Sequence, residues 1–158
     1  MPTKKEKNLR LGQLGEDIVK NLLNDLGKKV KISIDPYDSK KDITVDGITA
    51  EIKTQVPFVT RKLFSFKDNQ TAKVSNAGIL YVVSVGTDIP GLKWRDKTAW
   101  GIFECINPGE ISECVSYLNE GELMKGVEFR FFRKIGEVPE EERAMLSFWS
   151  CSDAVKPK

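Results

Sequence analysis

The pair Asp46-Gly47, set between alternating apolar residues, constrains the fold of this chain more than any other feature. Asp-Gly in that setting is a strong signal for a β-hairpin with a two-residue type I′ turn. The predicted cross-strand pairs are Val45 with Ile48, Thr44 with Thr49, Ile43 with Ala50, and Asp42 with Glu51. Because the register is fixed, the face of the hairpin on which each side chain lies follows from the sequence.

The predicted hairpin brings two carboxylates together. Directly opposed residues have Cβ atoms about 4.5–5.5 Å apart, and like charges there destabilise a sheet unless a cation lies between them. Asp42 and Glu51 would stand in such positions, with Lys53 on the same face two residues further on. These three residues therefore predict a divalent-metal site. The alternative is a solvated charged hairpin in which Lys40 and Lys53 neutralise the two acids.

Glu16 is a third candidate oxygen donor. Apolar residues recur at helical spacing over residues 9–26 and Gly27 ends the pattern, so an amphipathic helix is predicted there. Glu16 falls at the edge of the apolar stripe, from which it can face a cleft beside the core. Three carboxylates with a lysine nearby suit magnesium or manganese, which prefer oxygen ligands.

Composition limits the remaining possibilities. The 158-residue chain, with 40% hydrophobic residues, is the size of one domain with its own core. It has no histidine and no CxxC pair, which argues against structural zinc and histidine-based catalysis. Cys105, Cys114 and Cys151 suit reduced thiols. With no signal peptide and no apolar run near the ~18 residues of a membrane span, we expect a soluble cytoplasmic protein that has no membrane partner.

The order of predicted elements indicates the α/β class, with a mixed central sheet and helices on both of its faces. A single domain is expected over 1–158, with a core at about 9–85, C-terminal additions at 86–151 and a tail at 152–158. The predicted helices cover 9–26, 69–76, 111–118 and a segment after Pro139, and the predicted strands cover 30–34, the hairpin, 79–85, 98–105 and 127–134.

Two segments, residues 1–10 and residues 53–73, are rich in basic residues although the net charge of the chain is only +2. In the second of them, residues 53–73, phenylalanines lie among the lysines and arginines, which suits both neutralisation of phosphates and stacking on bases. The alternative is a solvated loop without a partner. The candidate DNA-binding residues are Lys4, Lys5, Arg10, Arg61, Lys62, Lys67 and Lys73.

Gly15-Glu16 on the first helix, Asp42 at the start of a strand and Glu51-Ile52-Lys53 on the next strand occur in the order of a known motif. With them the chain resembles the PD-(D/E)XK nuclease superfamily over residues 9 to about 85, most of all its Holliday-junction resolvase branch and related phage or bacterial nucleases. The resemblance implies a restriction-endonuclease-like fold. Lys41 stands where the motif has proline, a residue that takes no part in the chemistry.

The resemblance also implies roles for individual residues. Asp42, Glu51 and the backbone carbonyl of Ile52 would bind Mg²⁺, for which Mn²⁺ substitutes, and Lys53 would orient the attacking water. Glu16 would act through a water molecule or a second ion. Gln55 and Gln70 would support the site.

The function implied is that of a magnesium-dependent endodeoxyribonuclease that acts as a homodimer on branched or structured DNA, with a role in DNA recombination. Two alternatives stay open. One is a restriction-type or nicking nuclease that reads sequence, and the other is a DNA-binding module that keeps the fold without cutting.

Overall fold

The computed structural model describes residues 3–34, 41–56, 63–67, 78–86, 100–105, 107, 116–117, 124–128 and 131–150. These residues form two helices and nine strands. The helices are α1 (Lys4–Asp25) and α2 (Glu140–Ser150). The strands are β1 (Val30–Ile34), β2 (Lys41–Val45), β3 (Ile48–Gln55), β4 (Leu63–Lys67), β5 (Ile79–Ser84), β6 (Gly101–Cys105), β7 (Ser116–Tyr117), β8 (Met124–Glu128) and β9 (Arg133–Glu137).

Helix α1 confirms the helix predicted over 9–26 and begins earlier than expected. The hydroxyl of Thr3 accepts a hydrogen bond of 3.1 Å from the backbone N–H of Glu6, so Thr3 caps the helix and starts it at Lys4. At the other end, Gly27 has a φ of +82°, a left-handed conformation that suits glycine after a helix. Between these ends, an apolar stripe that includes the buried Val19 and Leu23 faces the sheet.

The described strands form a six-stranded sheet in the order β1-β2-β3-β5-β6-β9 and a three-stranded sheet in the order β4-β8-β7. In the larger sheet β3 and β5 are parallel, and the other neighbouring strands are antiparallel. The sheet is therefore mixed, which confirms the α/β class at this level.

Three of the four predicted hairpin pairs are confirmed, since Val45 pairs with Ile48, Thr44 with Thr49 and Ile43 with Ala50, whereas the fourth, Asp42 with Glu51, is not part of the ladder. Asp46 and Gly47 have φ values of +50° and +83°, as a type I′ turn requires. Asp46 also anchors the turn. Its backbone N–H donates to the carbonyl of Lys29, and its carboxylate accepts from the N–H of Lys29, both at 2.8 Å.

The two faces of the larger sheet are covered differently in the described part of the chain. One face packs with α1 and α2 around a core that includes Val19, Tyr81 and Leu146. On the other face, Phe64 of β4 packs with Leu80, Val82, Phe103 and Cys105. The second cover is therefore the smaller sheet, and the helix predicted over 69–76 lies outside the described residues.

The C-terminal half departs most from the sequence prediction. Ser116–Tyr117 is a strand within the predicted helix 111–118, which is wrong at those two residues. The strand predicted over 127–134 is also wrong, because β8 ends at Glu128 and a separate strand begins at Arg133.

Other predictions hold better. The helix after Pro139 is confirmed, and the strand predicted over 79–85 is found as Ile79–Ser84. The strand predicted over 98–105 is found as Gly101–Cys105. The predicted tail lies outside the described residues. Neither described helix is long and apolar enough to cross a membrane.

Candidate active site

Glu51 and Lys53 form the centre of the candidate site, on the face of β3 that points away from α1. Ala50 is buried in the core with α1, and Ile52 packs against the same core. Side chains alternate along a strand, so Glu51 and Lys53 share the opposite face. The Lys53 Nζ lies 3.4 Å from the Glu51 Oε1, and their side chains are only 19% and 17% exposed.

The surroundings explain this partial burial. In the parallel pairing of β3 with β5, Glu51 lies beside Leu80 and Lys53 beside Val82. Both of these neighbours are fully buried beneath Phe64 of the smaller sheet. The ion pair therefore stands at the edge of an apolar cluster, where an electrostatic interaction is screened less than it is in open water.

Asp42 is placed by the backbone of β2. Its partner on the outer side is Ser33 of β1. On the inner side the β2–β3 ladder runs from Val45 with Ile48 to Ile43 with Ala50 and ends there, so the predicted pair of Asp42 with Glu51 is not part of it, although both residues lie in described strands. The side chain of Asp42 lies outside the described residues, so its direction stays a prediction.

The carbonyl of Ile52 points towards β2. The carbonyls of Thr49 and Gln55 accept hydrogen bonds of 2.9 and 2.8 Å from Gly78 and Val85, which flank β5. Backbone carbonyls alternate in direction along a strand. Since positions 49 and 55 point towards β5, position 52 points the other way, to the side on which Asp42 lies. Glu51 and the Ile52 carbonyl thus offer two oxygen donors near the β2–β3 boundary.

Glu16 approaches β3 from the other side. It follows Gly15, whose Cα packs so closely on Thr54 that a Cβ there would overlap the Thr54 hydroxyl. Glu16 is partly buried on α1, behind the strand whose opposite face carries Glu51 and Lys53. To share an ion with Glu51, the carboxylate of Glu16 must reach around β3. Among the described residues, no three acidic or cysteine side chains lie close enough together to hold a metal ion.

The supporting and DNA-binding residues are placed in part. Gln55 shares the face of Lys53 and lies beside Ser84, whereas Gln70 is outside the described residues. Lys5 and Arg10 are exposed on α1. Lys4 and Lys67 lie in α1 and β4 with undescribed side chains, and Arg61, Lys62 and Lys73 are outside the described part of the chain.

A second acid–base pair, which was not predicted, lies on the helix-covered face. Glu104 of β6 is 9% exposed and accepts a hydrogen bond of 2.7 Å from Arg133 of β9. Burial and the neighbouring Glu104 carboxylate raise the pKa of Tyr81 above its ordinary value. A signal was present in the sequence, because an acid within the apolar run Gly101–Cys105 indicates a carboxylate that needs a partner.

Comparisons with protein-family models, curated proteins and solved structures give no match to this chain. Its function is therefore inferred from its own residues. An oxygen-donor pair beside an ammonium group, at the edge of an apolar cluster, can bind a hard cation and stabilise a developing negative charge.

Proposed function

We propose that the protein is a magnesium-dependent endodeoxyribonuclease that hydrolyses phosphodiester bonds in branched or structured DNA. The observation that carries the proposal is the Glu51–Lys53 pair on one face of β3, with the intervening Ile52 carbonyl directed at β2. This is the arrangement implied by the E-x-K resemblance. The helix α1, the meander β1-β2-β3 and the parallel β5 also follow the order expected of a restriction-endonuclease-like core.

The donor set fits a hard divalent cation. Glu51 supplies a carboxylate and Ile52 a carbonyl, and Mg²⁺ prefers such oxygen ligands. Asp42 would complete the protein ligands from β2. When bound, the ion would supply Lewis acidity and lower the pKa of a water molecule. All the proposed protein ligands are oxygen atoms, so the site needs no cysteine or histidine ligand. The chain has no histidine.

Lys53 holds a positive charge beside the reacting phosphate. Its ammonium group lies 3.4 Å from Glu51 and is 19% exposed. An ammonium has three donors, so Lys53 can keep one towards Glu51 and direct the others at a water molecule or a phosphate oxygen. Charge that builds on the phosphate in an in-line displacement is stabilised by such a fixed donor.

The preference for branched DNA and a homodimer belong to the same proposal. The chain has one Glu51–Lys53 pair, and symmetric cutting of two strands at a junction requires two such sites. A C₂ dimer would supply them with matching geometry.

A cleavage panel tests the proposal. Labelled four-way junctions, nicked duplexes, linear duplexes and single strands are incubated with the protein in magnesium, in manganese and in a chelator. We expect cutting of the junction with either metal and none with the chelator. Sequence-dependent cutting of linear duplexes would favour the restriction-type alternative, and metal-independent binding without any cutting would favour the binding module.

A matched pair of lysine variants locates the site. Lys53→Ala should remove cutting while DNA binding stays close to that of the parent. Lys20→Ala is the control, because Lys20 is exposed on α1, on the other side of the sheet. Cutting by Lys53→Ala at the parental rate would show that the site is misassigned.

A further inference from the structure

The face of the larger sheet that carries the Glu51–Lys53 pair is divided into two halves. Over β5 and β6 it is apolar and packs beneath Phe64. Over β1, β2 and β3 it carries polar side chains, since the apolar Ile43, Val45 and Ala50 of those strands are buried on the helix-covered face. The candidate site lies at the boundary between the two halves.

A row of three polar residues crosses the polar half. Lys31 of β1 pairs with Thr44 of β2, and Thr44 pairs with Thr49 of β3. Residues paired across antiparallel strands share a face. Lys31 and Thr49 are exposed and Thr44 is half-buried. With strands about 4.8 Å apart, the row spans about 10 Å.

The row lies beside the proposed reacting centre. Thr49 precedes Glu51 by two residues on the same face of β3, a rise of about 6.6 Å. None of the three side chains of the row forms a hydrogen bond or an ion pair with another described residue. The ammonium of Lys31 and the hydroxyl of Thr49, both on exposed residues, are accessible to a ligand on the face of Glu51.

The geometry points to a phosphate-contact row: Lys31, Thr44 and Thr49 bind the sugar-phosphate backbone of the DNA strand next to the bond that is cut. This inference rests on the proposed function and adds the path of the substrate across β3, β2 and β1. Charge complementarity supports it, since an ammonium and hydroxyl donors match phosphate oxygens. The contacts position the strand and carry no base specificity.

Equilibrium binding tests the row separately from catalysis. Fluorescence anisotropy of a labelled four-way junction and a labelled linear duplex is measured with Ca²⁺ in place of Mg²⁺, across a salt series. Lys31→Ala should lower the slope of log affinity against log salt by about 1. Lys31→Glu should weaken binding about tenfold or more at low salt. Thr49→Val, which keeps the β-branched shape, should weaken binding about threefold to tenfold without changing the slope.

The matched control is Lys20→Glu, an equal change of charge on α1, which should bind as the parent does. In cleavage assays with Mg²⁺, the row variants should raise KM and leave kcat near the parental value. If the parent cuts DNA but Lys31→Glu and Thr49→Val bind like the parent, the row is wrong and the nuclease stands. An equal loss in Lys20→Glu would also overturn the row, since the effect would then be one of net charge.

The nuclease proposal can also fail while the phosphate-contact row holds. If the parent binds DNA through the row but cuts no substrate in magnesium or manganese, the nuclease is wrong, and the row stands only as a contact with the DNA backbone. If the parent neither binds nor cuts any DNA in the panel, both proposals are overturned.

Discussion

Two acid–base pairs in the same sheet differ in almost every physical respect. Glu104 and Arg133 bridge β6 and β9 at 2.7 Å, with exposures of 9% and 75%. Glu51 and Lys53 lie along a single strand at 3.4 Å, and both are less than one-fifth exposed. In the first pair the acid is buried and its partner lies in solvent. In the second pair both groups are held at the edge of an apolar cluster.

The difference separates a structural pair from a candidate reactive pair. Glu104 is a buried carboxylate whose desolvation is offset by a short, charge-assisted bond to a guanidinium. Lys53 is a point charge with rotatable donors, so the longer contact with Glu51 leaves it able to serve a third group. Proximity of opposite charges alone does not distinguish the two. The geometry and the burial of both partners do.

The largest expected effect comes from exchanging each acid for its amide. Glu51→Gln should lower DNA cleavage about hundredfold or more, because it would remove the charged ligand of the proposed metal site. Glu104→Gln should leave cleavage near the parental rate and lower the free energy of unfolding by about 1.5–3 kcal/mol, through loss of a charged hydrogen bond. Cleavage rates and urea unfolding of both variants are the measurements. A large loss of cutting in Glu104→Gln alone would reverse the assignment of the two pairs.

The packing of α1 behind the site gives the next effect. Gly15→Ala would place a Cβ onto the Thr54 hydroxyl, so it should lower the free energy of unfolding by about 1–3 kcal/mol. Gly12→Ala is the matched control on the same helix, because nothing lies within 4 Å of its Cβ position. That variant should be neutral or stabilising by about 0.5–1 kcal/mol. Similar stabilities for the two variants in thermal unfolding would show that α1 does not press on β3 at Gly15.

The hairpin beneath the site was predictable because its determinants are local. Asp46 and Gly47 set the turn, the turn sets the register, and the register places Glu51 and Lys53 on one face. The smaller sheet was not predicted although Phe64 and Phe66 alternate as in a strand. The partner of their strand, β8, comes about sixty residues later in the chain, and pairing over that separation leaves no local signal.

The candidate site was predictable to the same extent. The pairs next to the turn follow from Asp46 and Gly47, and the face of Lys53 follows from alternation, whereas the ladder ends before the predicted pair of Asp42 with Glu51. The relation of Glu16 to β3 did not follow, because helical spacing gives the angle of a side chain around its helix but not the strand edge it faces. Glu104 was missed because its partner Arg133 lies on a distant strand.

The anchor of the turn has a moderate effect. Asp46→Ala removes the carboxylate that accepts from the Lys29 N–H and leaves a non-glycine residue at a φ of +50°. We expect a loss of about 1–2 kcal/mol in the free energy of unfolding. Asp46→Asn tolerates the left-handed conformation and keeps an acceptor, so it should lose less. Equal losses in the two variants, measured in urea, would contradict an anchoring role for the turn.

The smallest expected effect is on the pH dependence of stability, and it involves Tyr81, which lies beside Glu104 of the structural pair. Burial and Glu104 raise the pKa of Tyr81 in the folded protein above the unfolded value of about 10. Above pH ~10 the folded state therefore retains a proton that the unfolded state releases. The contribution of Tyr81 to the free energy of unfolding is complete below pH ~10 and declines as the pH rises further.

Tyr81→Phe should remove this decline. Since the variant keeps the buried ring and removes only the hydroxyl, it should match the parent within about 1 kcal/mol at neutral pH. Unfolding by urea at pH 8 and at pH 10.5–11 compares the two proteins. A parallel decline in both would assign the alkaline sensitivity to other groups.

The central claim is that Glu51 and the Ile52 carbonyl hold a divalent cation together with Asp42. Anomalous scattering from crystals soaked in manganese tests it directly. We expect a manganese peak about 2.0–2.3 Å from a Glu51 carboxylate oxygen, with the Ile52 carbonyl and Asp42 as its other protein ligands. Manganese bound elsewhere, or Asp42 and Glu51 directed away from each other around an empty β2–β3 boundary, would contradict the claim.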